Sequence, residues 1–225
     1  MRVAIIGAGQ MGEALRRVAE GVGHQVTAIV GRPLEEAFWD RLSAEVVIDF
    51  SHASQVRFVV ERCLSRGIPL VTGTTGWTAE EEELRRWAKA VPGARWIWGG
   101  NFSRGVALLK LILQKVHDLW PLFSDWEGVL VETHHSRKKD APSGTAIELQ
   151  RFFPALKAIY SLRVGQIVGE HALLLSGMGE EVEILHRAHD RKVFADGALW
   201  AAHWLLQQNA YVGRFEEVFL AHSQG

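Results

Sequence analysis

Met1-Arg2-Val3-Ala4-Ile5-Ile6-Gly7-Ala8-Gly9-Gln10-Met11-Gly12 decides how the rest of the chain is read. An apolar run of strand length ends in Gly-x-Gly-x-x-Gly, and an amphipathic run over residues 13–21 follows. Strand, glycine loop and helix in that order form the dinucleotide-binding fingerprint. Gly7 permits the tight turn, Gly9 lets a pyrophosphate approach the backbone, and Gly12 lets helix and strand pack closely. A lone glycine pattern is weak, but a second strand-like run over residues 25–30, at the expected distance, makes this one specific. Gly7, Ala8, Gly9, Gln10, Met11 and Gly12 are therefore candidate cofactor-binding residues.

The end of that second strand reads Gly31-Arg32-Pro33. Sites that take NADH usually place Asp or Glu there to bind the ribose 2′-hydroxyl. The acid is missing, Gly31 leaves room, and the Arg32 guanidinium can grip the oxygens of a 2′-phosphate. The expectation is use of both cofactors, with NADPH favoured over NADH.

Strand and helix patterns go on alternating. Strands are expected over 45–50, 68–71 and 95–98, and helices over 53–65 and 78–90, the latter opened by a capping box, Thr78-Ala79-Glu80-Glu81. Alternation of this kind predicts an α/β fold with a parallel sheet, and loops at the carboxyl ends of its strands bind the ligand. Gly73, Thr74 and Thr75, with Gly99, Gly100, Asn101 and Phe102, occupy such loops and are expected to border the nicotinamide half of the cofactor. A helix over 105–119 leads out of this region. Three strand-like runs follow at 163–168, 171–176 and 181–188, then a last helix from Phe194 to about residue 208. The expected division is a Rossmann domain over 1–104 and an α+β domain with a mixed sheet over 105–208.

A second stretch carries chemistry: Glu132-Thr133-His134-His135-Ser136-Arg137-Lys138-Lys139-Asp140-Ala141-Pro142-Ser143-Gly144-Thr145-Ala146. It follows an apolar strand and runs into a helix for which Ser143 is a plausible N-cap. A helix opening there aims backbone N–H groups and the positive end of its dipole at whatever lies in front, which suits a carboxylate or phosphate. His134 and Lys138 stand near it as proton-transfer groups. Successive residues on a strand face opposite ways, so His134 and His135 would not readily share a metal, and no metal is expected.

Composition narrows the classes. The chain has 225 residues, 48% of them hydrophobic, enough for a sizeable core in one large or two small domains. A net charge of −1 gives no electrostatic footprint for nucleic acid or an anionic membrane. One cysteine, Cys63, excludes an intrachain disulfide framework. No apolar run reaches the ~20 residues of a membrane span, and the chain opens directly on a strand; the expectation is a soluble, cytoplasmic protein.

The string from Glu132 to Ala146 resembles the E-x-H-H-x-x-K-x-D-A-P-S-G-T-A signature of the dihydrodipicolinate reductase family. Asp49-Phe50-Ser51, Gly73-Thr74-Thr75-Gly76, Asn101-Phe102-Ser103-x-Gly105-Val106 and residues 163–171 are similar to the same family, so the resemblance covers nearly the whole chain. It implies NAD(P)H-dependent reduction of the dihydrodipicolinate skeleton, with loss of the 4-hydroxyl as water, on the lysine and diaminopimelate route. It implies that His134 is the proton donor/acceptor and Lys138 a second proton donor. His135, Ser143, Gly144 and Thr145 would bind the substrate, a small dicarboxylate. Arg137, Lys139 and Asp140 would shape the loop, and a homotetramer joined through the second domain would be the assembly. Residues 209–225 would return to the Rossmann domain, and the second domain would serve substrate binding and oligomerisation. Two departures stand out: a glycine loop one residue shorter than is common in the family, and connections near 31–45 and 150–162 that look trimmed. The competing classes are another Rossmann-fold oxidoreductase acting on an amino or keto acid, and a dinucleotide-binding sensor without turnover.

Overall fold

The computed structural model describes residues 1–31 and 36–222. The chain divides into two compact units, Met1–Ser103 with Lys192–Gly225, and Arg104–Arg191.

The first unit is built on β1 (Arg2–Ile6), α1 (Gln10–Gly21), β2 (Gln25–Val30), α2 (Glu36–Arg41), β3 (Val46–Asp49), α3 (Ala53–Ser65), β4 (Leu70–Thr72), α4 (Thr78–Ala90) and β5 (Arg95–Trp98). Near the end of the chain it gains α7 (Lys192–Leu206), β10 (Tyr211–Arg214) and α8 (Phe215–His222). The sheet order is β10-β5-β4-β3-β1-β2, with every pair parallel. Helices on both faces explain why β1, β3, β4 and β5 read as unbroken apolar runs rather than alternating ones. One face packs Val56, Val59, Val60 and Cys63 of α3, with Leu84 of α4, onto Ala4, Ile6, Val47, Leu70 and Trp96. The chain runs from β1 to the β2 edge and then crosses to β3 on the other side of β1, so the topological switch lies between β1 and β3. Ligands of such sheets bind outside the carboxyl ends at that switch. Backbone bonds tie those ends in a row: Phe50 N to Ile6 O at 2.7 Å, Gly73 N to Asp49 O at 2.8 Å and Gly99 N to Thr72 O at 3.1 Å.

The second unit contains α5 (Arg104–Leu119), β6 (Glu127–His134), α6 (Gly144–Phe152), β7 (Ala158–Arg163), β8 (Gly169–Gly177) and β9 (Glu180–Ala188). Its sheet order is β7-β6-β8-β9; β6 and β7 are parallel and the other pairs antiparallel. Leu130, Leu173 and Leu175 face Leu109 and Leu113 of α5, Ala146 and Leu149 of α6, and Phe153 just after it. The α/β sheet and the mixed sheet are both as expected.

Four expectations are corrected. Residues 192–206 do not belong to the second unit. Helix α7 buries Ala195, Gly197, Ala198, Leu199, Ala201, Ala202 and Leu205, and packs beside α1 and against β3, β4 and β5. A methyl at Gly197 would overlap the Phe102 carbonyl, which shows how closely this helix lies. Second, of the run 163–168 only Arg163 is strand; residues 164–168 form a turn, with Gly165 at φ +55° and Val164 N bonded to His134 O at 2.9 Å. The strand lies just before it, in the connection read as trimmed, where Ile159-Tyr160-Ser161-Leu162 has the aromatic and branched residues of a strand. Third, Thr78 is the first residue of α4 and not its cap, because Trp77 holds the cap position without a side-chain bond. Fourth, β10 was not anticipated: it is four residues long and contains Gly213, which gives little strand signal.

Candidate active site

In the first unit the glycine loop has the predicted geometry. Gly7 sits at φ +111°, and a methyl there would overlap the Phe50 carbonyl, so only glycine fits. A methyl at Gly12 would overlap the Gly7 carbonyl, which is the close helix–turn approach the fingerprint requires. Gly9 is different: it caps α1, has no side chain with which to cap it, and its missing Cβ faces open space. Ala8, Gly9 and Gln10 are exposed and Met11 is half-buried at the start of the helix. An exposed glycine turn at a helix N-terminus fits a pyrophosphate.

The loops after β3 and β4 are fixed by one buried acid. Asp49 accepts from Ser51 N at 3.0 Å and from the Thr74 hydroxyl at 3.0 Å. Burial pushes its carboxyl pKa up, against those two bonds. Trp77 Nε1 donates to Thr74 O at 2.7 Å, and the Phe50 ring lies where a side chain at Gly73 would be. Met11, Phe50, Ser51, Gly73, Thr74 and Thr75 share the lining of one open hollow. After β5, Gly100 is exposed, and Asn101 Oδ1 accepts from Ser103 N at 2.8 Å. The Phe102 ring is core, tilted against that of Phe215 with centroids 4.7 Å apart. Arg32 lies outside the described residues.

The second unit assembles the other candidates around β6. Glu132 and His134 are two apart on this strand and therefore share a face, with side chains 0% and 10% exposed. His134 Nδ1 is hydrogen-bonded to Glu132 Oε2. Glu132 Oε1 accepts from Arg163 Nη2 at 2.7 Å and from Ser143 N at 3.2 Å. Register places Arg163 beside His134 on β7, and His171 opposite Glu132 on β8. Burial works against the Glu132 charge, but hydrogen bonding, chiefly from Arg163, outweighs it and holds the carboxyl at about 2. Burial lowers the His134 pKa below its ordinary value, although Glu132 pulls the other way. His171, whose ring is 5.5 Å from that of His134, is pushed down to about 3, mainly by burial, and is neutral.

The loop from His135 to Ser143 is latched to its surroundings. Arg163 donates to Asp140 O at 2.6 Å, and Ser136 N bonds to Gly165 O at 3.2 Å. Lys138 Nζ is paired with Asp140 at 2.8 Å, and that pairing lowers the Asp140 pKa. Ser143 caps α6 as expected, accepting from Ala146 N at 3.2 Å. Gly144 is exposed beside open space and Thr145 is half-buried. His135 lies off the end of the strand, with Arg191 Nη2 at 3.4 Å. His134, Lys138 and Ser143 thus hang on one loop and its two flanking elements. No metal-binding group of His, Cys, Asp or Glu occurs among the described residues, and no described helix is long and apolar enough to cross a membrane. Glu132, Arg163 and His171 were not singled out from sequence. Period two on β6 puts Glu132 beside His134, whereas nothing local to Arg163 or His171 indicates their neighbours.

Comparison with known proteins bears on both units. Residues 1–102 match the model of the dihydrodipicolinate reductase N-terminus and residues 105–219 that of its C-terminus. A 4-hydroxy-tetrahydrodipicolinate reductase of Xanthomonas campestris pv. campestris (strain B100) is 38% identical, covering 92% of each chain. One from Xylella fastidiosa (strain 9a5c) is 39% identical, over 90% of this chain and 91% of that one. Among solved structures, the dipicolinate-bound dihydrodipicolinate reductase of Paenisporosarcina sp. TG-14 superposes with a TM-score of 0.82 at 20% identity, covering 97% of this chain and 99% of that chain. With both halves matched in order and the glycine loop and the Glu132–Ala146 signature in place, this chain belongs to the dihydrodipicolinate reductase family.

Proposed function

We propose that this chain reduces 4-hydroxy-tetrahydrodipicolinate to tetrahydrodipicolinate, on the route to diaminopimelate and lysine, with a pyridine nucleotide as reductant. The observation that carries this reading is the buried Glu132–His134 pair joined through Ser143 N to the start of α6. It sets a proton-transfer group beside backbone amides suited to a carboxylate. Bound NADPH or NADH would supply the hydride. Gly7 to Gly12 hold the pyrophosphate, and Gly73, Thr74, Thr75 and the backbone of residues 99–102 border the nicotinamide. His135, Ser143, Gly144 and Thr145 bind the carboxylates, a role supported by the dicarboxylate in the solved relative's name. Hydride addition to a conjugated imine leaves negative charge on the substrate; His134 delivers the proton that quenches it, and Lys138 is the second donor.

The test is a coupled assay with freshly generated 4-hydroxy-tetrahydrodipicolinate and each cofactor. Substrate-dependent oxidation of the reduced cofactor is expected. Turnover only with amino or keto acids would move the chain to another class of Rossmann-fold dehydrogenase. Cofactor binding without turnover would make it a sensor.

The finer cofactor reading is dual use with NADPH favoured. Among the described residues, a Cβ at Gly31 would meet only the Ala8 methyl, at 3.9 Å. A charge-assisted contact from Arg32 to the 2′-phosphate contributes about 1.5–3 kcal/mol, a preference on the order of ten to a hundredfold. Replacing Gly31-Arg32 with Asp-Ala is expected to reverse the ratio of kcat/KM values for NADPH and NADH. A ratio that does not move would show that Arg32 does not read the phosphate.

The assembly reading is a homotetramer joined through the second unit. The sheet face turned away from α5 and α6 exposes Tyr160, Leu162, Leu174 and Leu185, apolar side chains that a partner chain could cover. Sedimentation equilibrium is expected to give four chains; a monomer at micromolar concentration would remove this reading.

A further inference from the structure

We infer that Glu132 is a positioning residue for the reaction, whose two oxygens do separate jobs: Oε2 fixes the proton of His134 on Nδ1, and Oε1 fixes the start of the substrate-binding helix. The inference rests on the proposed reductase reading and goes beyond it, because Glu132 is fully buried and acts through His134, Ser143 and Arg163.

The argument starts from donors and acceptors. The Glu132 carboxylate is ionised, so both of its oxygens can only accept. The nitrogen facing Oε2 is His134 Nδ1, which must therefore carry a hydrogen. In the neutral ring, Nε2 is then the basic nitrogen. Gly169 leaves it room: a Cβ there would lie 3.2 Å from Nε2. His134 becomes a proton donor by first taking a proton at Nε2, and the carboxylate behind Nδ1 favours that imidazolium. The other groups facing the ring oppose it: Arg163 on β7 and Lys138 on the loop are cations. His171 on β8 is neutral, and beyond it His186 on β9 is also shifted down by burial. Asp140 faces Lys138 and not the ring. Glu132 is thus the acid whose hydrogen bond and charge raise the proton affinity of His134.

Oε1 acts on a different element. It receives Ser143 N at 3.2 Å and Arg163 Nη2 at 2.7 Å, and the same Arg163 nitrogen donates to Asp140 O at 2.6 Å. The first turn of α6 and the loop before it are thereby held to the strand that carries His134. A carboxylate that orients a histidine and stabilises its imidazolium is a known device; an amide in its place preserves shape but selects the wrong tautomer.

Glu132→Gln separates the two jobs. Two donors converge on Oε1, so the amide oxygen stays there and the NH₂ turns to Nδ1. That forces Nδ1 to accept and disfavours the imidazolium. The expected result is a fall in kcat of roughly 10²–10⁴-fold with KM close to that of the wild type. Because activity needs protonated His134, it is lost as pH rises through the His134 pKa, and in Glu132→Gln this loss should move to lower pH. Glu132→Asp, which keeps the charge, should bring the pH profile back towards that of the wild type. Glu132→Ala removes both jobs and should also raise KM. A Glu132→Gln enzyme with wild-type kcat and pH profile overturns the inference. Should the variants fail to fold, ¹⁵N NMR of the wild-type imidazoles, with His134 assigned by its disappearance in His134→Gln, decides the matter. An Nδ1–H tautomer is expected at neutral pH, and an Nε2–H tautomer overturns the inference. A wild-type protein that does not reduce 4-hydroxy-tetrahydrodipicolinate would sink the reading of function instead, while the tautomer measurement still judges Glu132.

Discussion

His134→Gln is expected to lower kcat by roughly 10²–10⁴-fold, the range typical of a general acid–base group, while leaving the affinity for NADPH unchanged. That fall corresponds to about 3–5 kcal/mol of transition-state stabilisation. Gln is the informative replacement because it keeps a polar amide in the space of the ring, where Ala would leave a cavity beside the buried carboxylate. The glycine loop belongs to the other unit and shares no element with β6, which is why cofactor affinity should not follow kcat. Lys138→Ala is expected to lower kcat as well, since it removes the proposed second donor. It also frees Asp140 from its ion pair, so a modest rise in KM from a loosened loop should accompany it. Near-wild-type turnover in both variants would remove these two residues from the chemistry.

The second large effect concerns the glycine loop, where neighbouring positions should fail for different reasons. Gly12→Val puts a side chain onto the Gly7 carbonyl, which is backbone and cannot swing aside. Gly7 itself is held at φ +111°, so the strain can be relieved only by moving the start of α1. Overpacking of this kind costs about 1–3 kcal/mol or more, which lowers NADPH affinity roughly ten- to a hundredfold when the displaced turn is the binding surface. Gly9→Ala meets no atom of the described residues within 4 Å, so the free protein should keep its wild-type thermal stability. Its methyl would instead stand where the pyrophosphate approaches. Calorimetric titration with NADPH, beside thermal unfolding, separates the two variants. Gly9→Ala with wild-type affinity would show that the phosphate does not approach this turn.

Much of this was legible in the sequence because the informative spacings are short. The glycine loop spans six residues, and the Ser143 cap announces itself within three residues of its acceptor contact. The parallel sheet followed from apolar runs alternating with helices. What stayed hidden depends on partners far along the chain. Arg163 reaches Glu132 only through the parallel pairing of β7 with β6, and its strand was read as starting where it ends. The apolar, alanine-rich α7 looks from sequence like a continuation of the second unit; only packing against α1 and the parallel sheet assigns it to the first. The failed capping box at Thr78 is a reminder that a cap is a backbone conformation, which residue type alone does not impose. Arg32, proposed to read a 2′-phosphate, lies outside the described residues.

The late return of the chain to the parallel sheet also sets an order of assembly during synthesis. Strand β5 receives its outer neighbour from Tyr211–Arg214, which leave the ribosome only after the whole of the second unit. Until then β5 is an open parallel edge, and Glu81, which accepts from Trp98 Nε1 at 3.0 Å, lacks the guanidinium of Arg214. The second unit is one continuous segment and can complete its sheet first, whereas the sheet of the other unit closes only once residues 211–214 have followed it. An unpaired strand edge is the part of a nascent sheet most prone to mispairing with other chains. Stalling or truncation before residue 211 therefore leaves a molecule with its acid–base loop finished, its glycine loop present, and the flank beside β5 exposed to other chains.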